Sequence, residues 1–309
     1  MTILELSKDI ISQQIVTSKK HIYLKILNTN IIFCNLQNSG SSAVDPILKE
    51  ILTKLNYHIA YGPDQTEKLR CDIKSGKITR PFYHWTHTDL PFFNFLKNNK
   101  YTKFIYLHRD PRDAAISFAN YLMSTHPHFK NIKMERSLEI VALNIQPELL
   151  YNAVDWINFS DCLVIKYDKL IKDTFKTILD ILDHCNIDYN DKKNEISKDF
   201  LKNIVQKYSF ESLTGRKRGE SCPQGKDLKI IPGYMLRKGK SGNWKNEYPK
   251  DLILNYYDLV SNEILELGYK LSKHTNGNIV SPPFPCGVSW LINSLMELGH
   301  RTSYFPFGP

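Results

Sequence analysis

What most limits the fold of this chain is a pattern that occurs three times: a short apolar run bounded by polar residues, then a helical stretch. The runs are Ile31-Ile32-Phe33-Cys34, Phe104-Ile105-Tyr106-Leu107 and Leu163-Val164-Ile165. Bounded apolar runs of this length are the pattern of buried strands. Behind the first, residues 42–55 place Val44, Leu48, Ile51, Leu52 and Leu55 on one helical face. Behind the third, Ile171, Phe175, Ile178, Leu179 and Leu182 form another stripe. Pro111 stands where a helix after the second run would begin, a position that tolerates proline. Strand–helix alternation predicts an α/β fold with a central, mainly parallel sheet flanked by helices. Residues 137–158 read as helical but interrupted at Pro147, so as two helices or one kinked helix. Further helices are expected over residues 195–208 and 251–267, and 309 residues suffice for one sizeable domain or two small ones.

The net charge of +9 is spread over scattered lysines with no dense basic block. Charge alone therefore gives no reason to expect a nucleic-acid partner. Six cysteines show no Cys-x-x-Cys pair, which suits free thiols in a reducing compartment. No stretch reaches the ~18 uncharged apolar residues of a membrane span. Glu5, Lys8 and Asp9 interrupt the apolar pattern of the first residues, a poor signal peptide. The expectation is a cytoplasmic protein with no membrane partner.

Chemistry concentrates in three segments. Asn38-Ser39-Gly40-Ser41-Ser42 lies between a strand and a helix, where backbone N–H groups and the helix dipole hold anions. Gly40 allows close backbone approach, and Ser41 and Ser42 add hydroxyl donors. Arg109 ends the second strand, and Ser117 lies about two turns into the next helix, so both can face one dianion. Arg237-Lys238-Gly239 belongs to a stretch, residues 215–242, with six glycines and two prolines. A loop that long is a functional lid or a disordered segment.

In this order the three segments resemble the cytosolic-type sulfotransferases, which use 3′-phosphoadenosine 5′-phosphosulfate (PAPS) as donor and release 3′-phosphoadenosine 5′-phosphate (PAP). The resemblance spans residues 31–271. His108-Arg109-Asp110-Pro111-Arg112-Asp113 through Ser117 matches the family's Arg-x-Pro-x-Asp-x-x-x-Ser element. Residues 237–246 follow its Arg-Lys-Gly-x-x-Gly-Asp-Trp-Lys-Asn flap, with Asn243 in place of Asp. The resemblance implies the P-loop-like sulfotransferase fold and no metal. It implies that Asn38, Ser39, Gly40, Ser41 and Ser42 hold the phosphosulfate. Arg109, Ser117, Arg237, Lys238 and Gly239 would hold the 3′-phosphate, Ser209 and Phe210 would flank adenine, and Trp244 would anchor the flap. Tyr167-Asp168 resembles a structural Tyr-Glu-Asp that follows the family's third core strand.

The same resemblance assigns the general base to His87, in the place of a Lys-Thr-His segment, with His84 as the fallback. Asp89 could orient either imidazole. Two cations of the pattern are missing: Asn38 stands for the loop lysine and Trp85 for the lysine before the base. His84, Trp85 and Asp89, with Phe82 and Tyr83, would form an aromatic wall with one carboxylate, suited to a flat or cationic small-molecule acceptor. Bacterial natural-product sulfotransferases acting on saxitoxin-type alkaloids are one such setting. The other reading of these aromatics is plain core. The missing cations also leave open a degenerate relative that binds the nucleotide without turning it over.

Residues 1–272 are expected to form the sulfotransferase domain. Residues 273–285 read as a linker. Beyond it, Gly287, Ser289, Leu295 and Glu297 repeat the register of Gly40, Ser42, Leu48 and Glu50. The tail 273–309 is thus either a chance amphipathic helix or a partial duplication of the phosphosulfate loop and its helix.

Overall fold

The computed structural model describes residues 29–63, 65–189, 196–221 and 236–271. The tail reading and the reading of the first residues lie outside them. Five strands, β1 (Asn30–Asn35), β2 (His58–Ile59), β3 (Phe82–Thr86), β4 (Thr102–His108) and β5 (Cys162–Lys166), form one sheet in the order β2-β3-β1-β4-β5. Every pairing is parallel. The expected α/β architecture is the one observed, and the three apolar runs are its adjacent strands β1, β4 and β5.

Helices cover both faces. On one side α1 (Asp45–Lys54), α5 (Thr174–His184) and α6 (Lys198–Lys207) pack against Ile31, Phe33, Tyr83, Ile105 and Leu107. On the other, α3 (Pro111–Thr125), α4 (Gln146–Asn158) and α7 (Lys250–Glu266) pack against Ile32, Cys34, Phe104 and Tyr106. Leu69 of the short α2 (Thr66–Lys74) joins this second core. Neighbouring residues of each strand serve opposite cores because strand side chains alternate in direction. Pro111 begins α3, as expected.

Three local expectations are revised. A 3₁₀ turn, Ser41–Ala43, separates the loop from α1, which starts at Asp45 instead of Ser42. The break at Pro147 is a π-helical turn, Val141–Ile145, after the helix Met134–Ile140; the widened turn accommodates a proline that has no N–H to donate. The stretch read as an aromatic wall or plain core is the inner strand β3, with Ile32 opposite His84 and Phe33 opposite Trp85, and its aromatics are core. Its alternation sends Phe82 to one core, and Tyr83 and Trp85 to the other, so no single wall forms.

Among the described residues no helix is long and apolar enough to cross a membrane, and the four described cysteines are free thiols.

Two buried histidines make the fold acid-sensitive. His84 is fully buried with Nε2 3.0 Å from Thr66 Oγ1, and burial lowers its pKa to about 4. Burial, then the charge of Lys166, lowers His108 to about 3. Both stay neutral in the fold but titrate near 6.5 once unfolded, so the unfolded chain gains protons first. Their contribution is whole above pH 6.5 and is lost as pH falls to about 4 and 3, at about 1.4 kcal/mol per pH unit for each. The urea midpoint should therefore fall steeply between pH 6.5 and 4, and His84→Gln should flatten the slope. A midpoint constant over that window would rule out this origin.

Candidate active site

In an open parallel sheet, ligands bind beyond the carboxyl ends of the strands, where the chain turns away in opposite directions. Here β1 sits between β3 and β4, and the segments leaving these three strands carry Asn38, His87 and Arg109. They border one cavity of about 340 Å³, which is also lined by Ser117 and by Arg237, Lys238 and Gly239 of the flap.

The loop after β1 is tightly shaped. Asn38 has φ +60°, a left-handed conformation that asparagine tolerates, and Gly40 has φ +95°. A Cβ on Gly40 would lie 2.5 Å from Cε2 of Tyr167. The close approach that requires glycine here is thus to a tyrosine ring at the end of β5. Asn38, Gly40, Ser41 and Ser42 face the cavity; Ser39 does not line it and is completely buried.

Arg109 is 7% exposed, and its guanidinium sits 4.6 Å from the Tyr167 ring centroid. One terminal nitrogen donates to the Lys240 carbonyl at 2.5 Å and lies 3.9 Å from Asp113. Its Nε is buried without a partner, the kind of unmet donor that an anion would satisfy.

Asp113 ties the flap down. Burial pushes its carboxyl up, yet it accepts from the Gly242 and Trp244 amides at 2.6 and 3.0 Å. Trp244 is buried, with the Arg112 guanidinium 3.7 Å from its ring centroid. Gly239, at φ +59°, passes over Phe210, whose ring a Cβ would meet at 2.6 Å. Phe210 and Ser209, the N-cap of the short helix Phe210–Thr214, both line the cavity. Arg237 and Lys238 both bind Glu247, at 2.8 and 2.5 Å. Burial alone would raise the Glu247 carboxyl, but these two cations hold it below the usual range.

His87 lies beyond β3, half-buried in the cavity wall, with Nδ1 3.1 Å from the Asn35 carbonyl. A carbonyl only accepts, so Nδ1 carries the proton and Nε2 is the basic nitrogen. Burial lowers the imidazole to about 4, so it is neutral at physiological pH. Trp85 lines the same cavity, donates from Nε1 to Asn35 Oδ1 at 2.8 Å, and meets the His87 ring edge-on at 5.3 Å.

Besides Ser39, two further expected site residues are not brought to this cavity. His84 points to the opposite core, because strand alternation separates it from Trp85. Asp89 is exposed and borders a second, small cavity of about 20 Å³ that His87 also lines. Partial burial, then the carboxylates of Glu148 and Asp155, raises Asp89. Sequence reasoning missed Lys49, Tyr167, Tyr208 and Arg218, all of which line the main cavity. For Lys49 a signal existed: it lies seven residues after Ser42, on the same helical face.

The sulfotransferase domain model matches residues 13–264. A luciferin sulfotransferase of Photinus pyralis is 23% identical over 181 residues, 56% of this chain and 47% of that protein, so the chain spans about half the length of that relative. A flavonol 3-sulfotransferase of Flaveria bidentis is 22% identical over 231 residues, 66% of this chain and 67% of that protein. Among solved structures, a mouse sulfotransferase complexed with PAP superposes with a TM-score of 0.54 at 19% identity, covering 77% of this chain and 85% of the other. Retinol dehydratase in complex with androsterone and PAP gives 0.51 at 19% identity, covering 82% and 83%. Sheet order, the loop after β1 and the matched domain converge: the chain belongs to the sulfotransferase family.

Proposed function

We propose that this protein transfers the sulfuryl group of PAPS to a hydroxyl or amine of a small-molecule acceptor, as a soluble cytoplasmic enzyme whose catalytic domain ends near residue 272. One observation carries the reading: Arg109, the flap cations and the loop after β1 border the same cavity as His87. The buried, unmet Nε of Arg109 and the cations gathered around Glu247 suit a doubly charged phosphate. PAPS when bound supplies a sulfur whose bond to the 5′-phosphate oxygen is broken. The acceptor oxygen or nitrogen forms the new bond to sulfur, its proton passes to His87 Nε2, and the bonding pair stays on the 5′-phosphate. Ser117, Arg109, Arg237, Lys238 and Gly239 would hold the 3′-phosphate, while Asn38, Ser41, Ser42 and the loop amides hold the 5′ end.

The acceptor lies on the His87 side. Trp85 offers an aromatic face, and Asp89, with Glu148 and Asp155 near it, adds negative charge beyond the base. That combination favours a flat acceptor carrying an amine or guanidinium, of which saxitoxin-type alkaloids are one class. Incubation with PAPS and a panel of phenols, aromatic amines and guanidinium alkaloids should release PAP only when acceptor is present, fastest with the cationic members. Nucleotide binding without release under every acceptor would instead identify a nucleotide-binding relative that does not turn over, the reading favoured by the neutral Asn38 and Trp85.

A further inference from the structure

The cavity wall beneath the loop is one face of α1. Asp45, Pro46 and Lys49 line it, at the spacing of a single helical face, and Ser42 of the preceding 3₁₀ turn lines it too. Val44, Leu48, Ile51 and Leu52, on the other face, are in the core. Long helical side chains lean toward the N-terminus, and Lys49 does so. Its Nζ lies 2.8 Å from Asp45 Oδ2, one turn back toward the loop, and 5.6 Å from the Trp85 ring centroid. The ammonium therefore stands beside the aromatic ring that packs on His87. The side chain keeps 41% of its exposure, against 10% for Asp45.

The other charges around the cavity are committed elsewhere. Among the described residues its lysine and arginine lining is Lys49, Arg109, Arg218, Arg237 and Lys238. Arg237 and Lys238 are held at the flap by Glu247, and Arg109 by the Lys240 carbonyl. Arg218 faces Glu211 and the Ile171 carbonyl. The loop itself offers only neutral donors: Asn38, Ser41, Ser42 and backbone amides. Negative charge gathers at that end when the sulfur–oxygen bond breaks and the electron pair stays on the 5′-phosphate. A neutral hydrogen bond is about half as strong toward such a charge as an ionic one.

Resting on the nucleotide reading above, we propose that Lys49 is the cation for the 5′ end of the nucleotide, doing from α1 what neither Asn38 nor Trp85 can do. Asp45 is fixed by the Tyr83 hydroxyl, which donates to it at 2.9 Å, and it holds the ammonium at the cavity wall. The Lys49 ammonium donates to the 5′-phosphate oxygens on binding and stays beside them as charge develops there.

Two nucleotides separate this role from the rest of the site: PAP, and adenosine 3′-phosphate, which lacks the 5′-phosphate. Calorimetric titration of Lys49→Met should show PAP bound roughly 10- to 100-fold more weakly, the loss of one charge-assisted bond, with adenosine 3′-phosphate unchanged. Lys49→Arg should keep most of the PAP affinity. Asn38→Lys in the Lys49→Met background should restore it by returning a cation from the loop. Because Lys49→Met leaves Asp45 without its ion-pair partner, the same comparison is made between Asp45→Asn and Asp45→Asn/Lys49→Met, in which position 45 carries no carboxylate. Equal PAP affinity across either pair would overturn the proposal and leave Lys49 a helix ion pair. Equal weakening of both nucleotides would overturn it too, by showing a general distortion of the site. If the unsubstituted protein binds neither nucleotide, the donor-site reading fails and the role of Lys49 with it.

Discussion

His87→Ala should lower sulfuryl transfer by roughly 10²- to 10⁴-fold, the usual contribution of a positioned general base, while PAP affinity and the urea midpoint at pH 7.5 stay nearly unchanged. The reason is local. The Asn35 carbonyl fixes the proton on Nδ1, Trp85 fixes the ring edge-on, and burial holds the pKa at about 4. The imidazole is therefore unprotonated from neutral pH down to the point where the fold itself loosens. Its acid limb should appear below about pH 5, not near the 6.5 of an ordinary histidine. His84→Ala is the contrasting variant. His84 lies in the opposite core, so its loss should lower stability through an unfilled space and leave the catalytic constant of the folded fraction largely intact. Single-turnover rates with a panel acceptor, compared at equal folded fraction, measure both. A His87 variant that turns over normally would remove it as the base.

Arg112→Ala should cost about 3–5 kcal/mol of stability, the range for breaking one side of a buried pair. This arginine is 2% exposed and binds Asp110 through two parallel bonds of 2.8 Å each. A third nitrogen donates to the Tyr257 hydroxyl of α7 at 2.7 Å, and the guanidinium lies against Trp244. Removal leaves Asp110 buried and uncompensated, and it takes away the support on which the flap rests. Nucleotide affinity should fall along with stability, since Trp244 and Asp113 together hold the segment that leads back to Arg237. Replacing both members, as in Asp110→Asn/Arg112→Met, should recover much of the loss because no lone charge stays behind. Urea titrations of the single and double variants decide this; a loss under 1 kcal/mol in Arg112→Ala would show the cluster to be incidental.

Arg112 also shows where local sequence runs out. Its neighbours Arg109, Pro111 and Asp113 belong to a spacing that was legible as an anion-binding element. Nothing in that spacing said that Asp110 would pair with Arg112, leaving Arg109 for the cavity, or that Asp113 would capture amides 129 and 131 residues away.

The strands that carry aliphatic runs, the helical faces and the segments that border the cavity could be read from the sequence, because each is written in residues close in the chain. β3 could not be, since an inner strand built from Phe, Tyr, His, Trp and Thr lacks the continuous aliphatic signal of its neighbours. The tertiary structure alone decided which side of β3 meets the cavity, why Gly40 must lack a Cβ and that the Lys49 ammonium stands beside Trp85 in the cavity wall. Those outcomes depend on Tyr167 meeting Gly40, on the period-two alternation set by pairing with β1, and on the pitch of α1. Periodicity is a local property of the polymer, whereas the meeting of a loop, a ring and an ammonium is fixed only when the whole sheet closes around them.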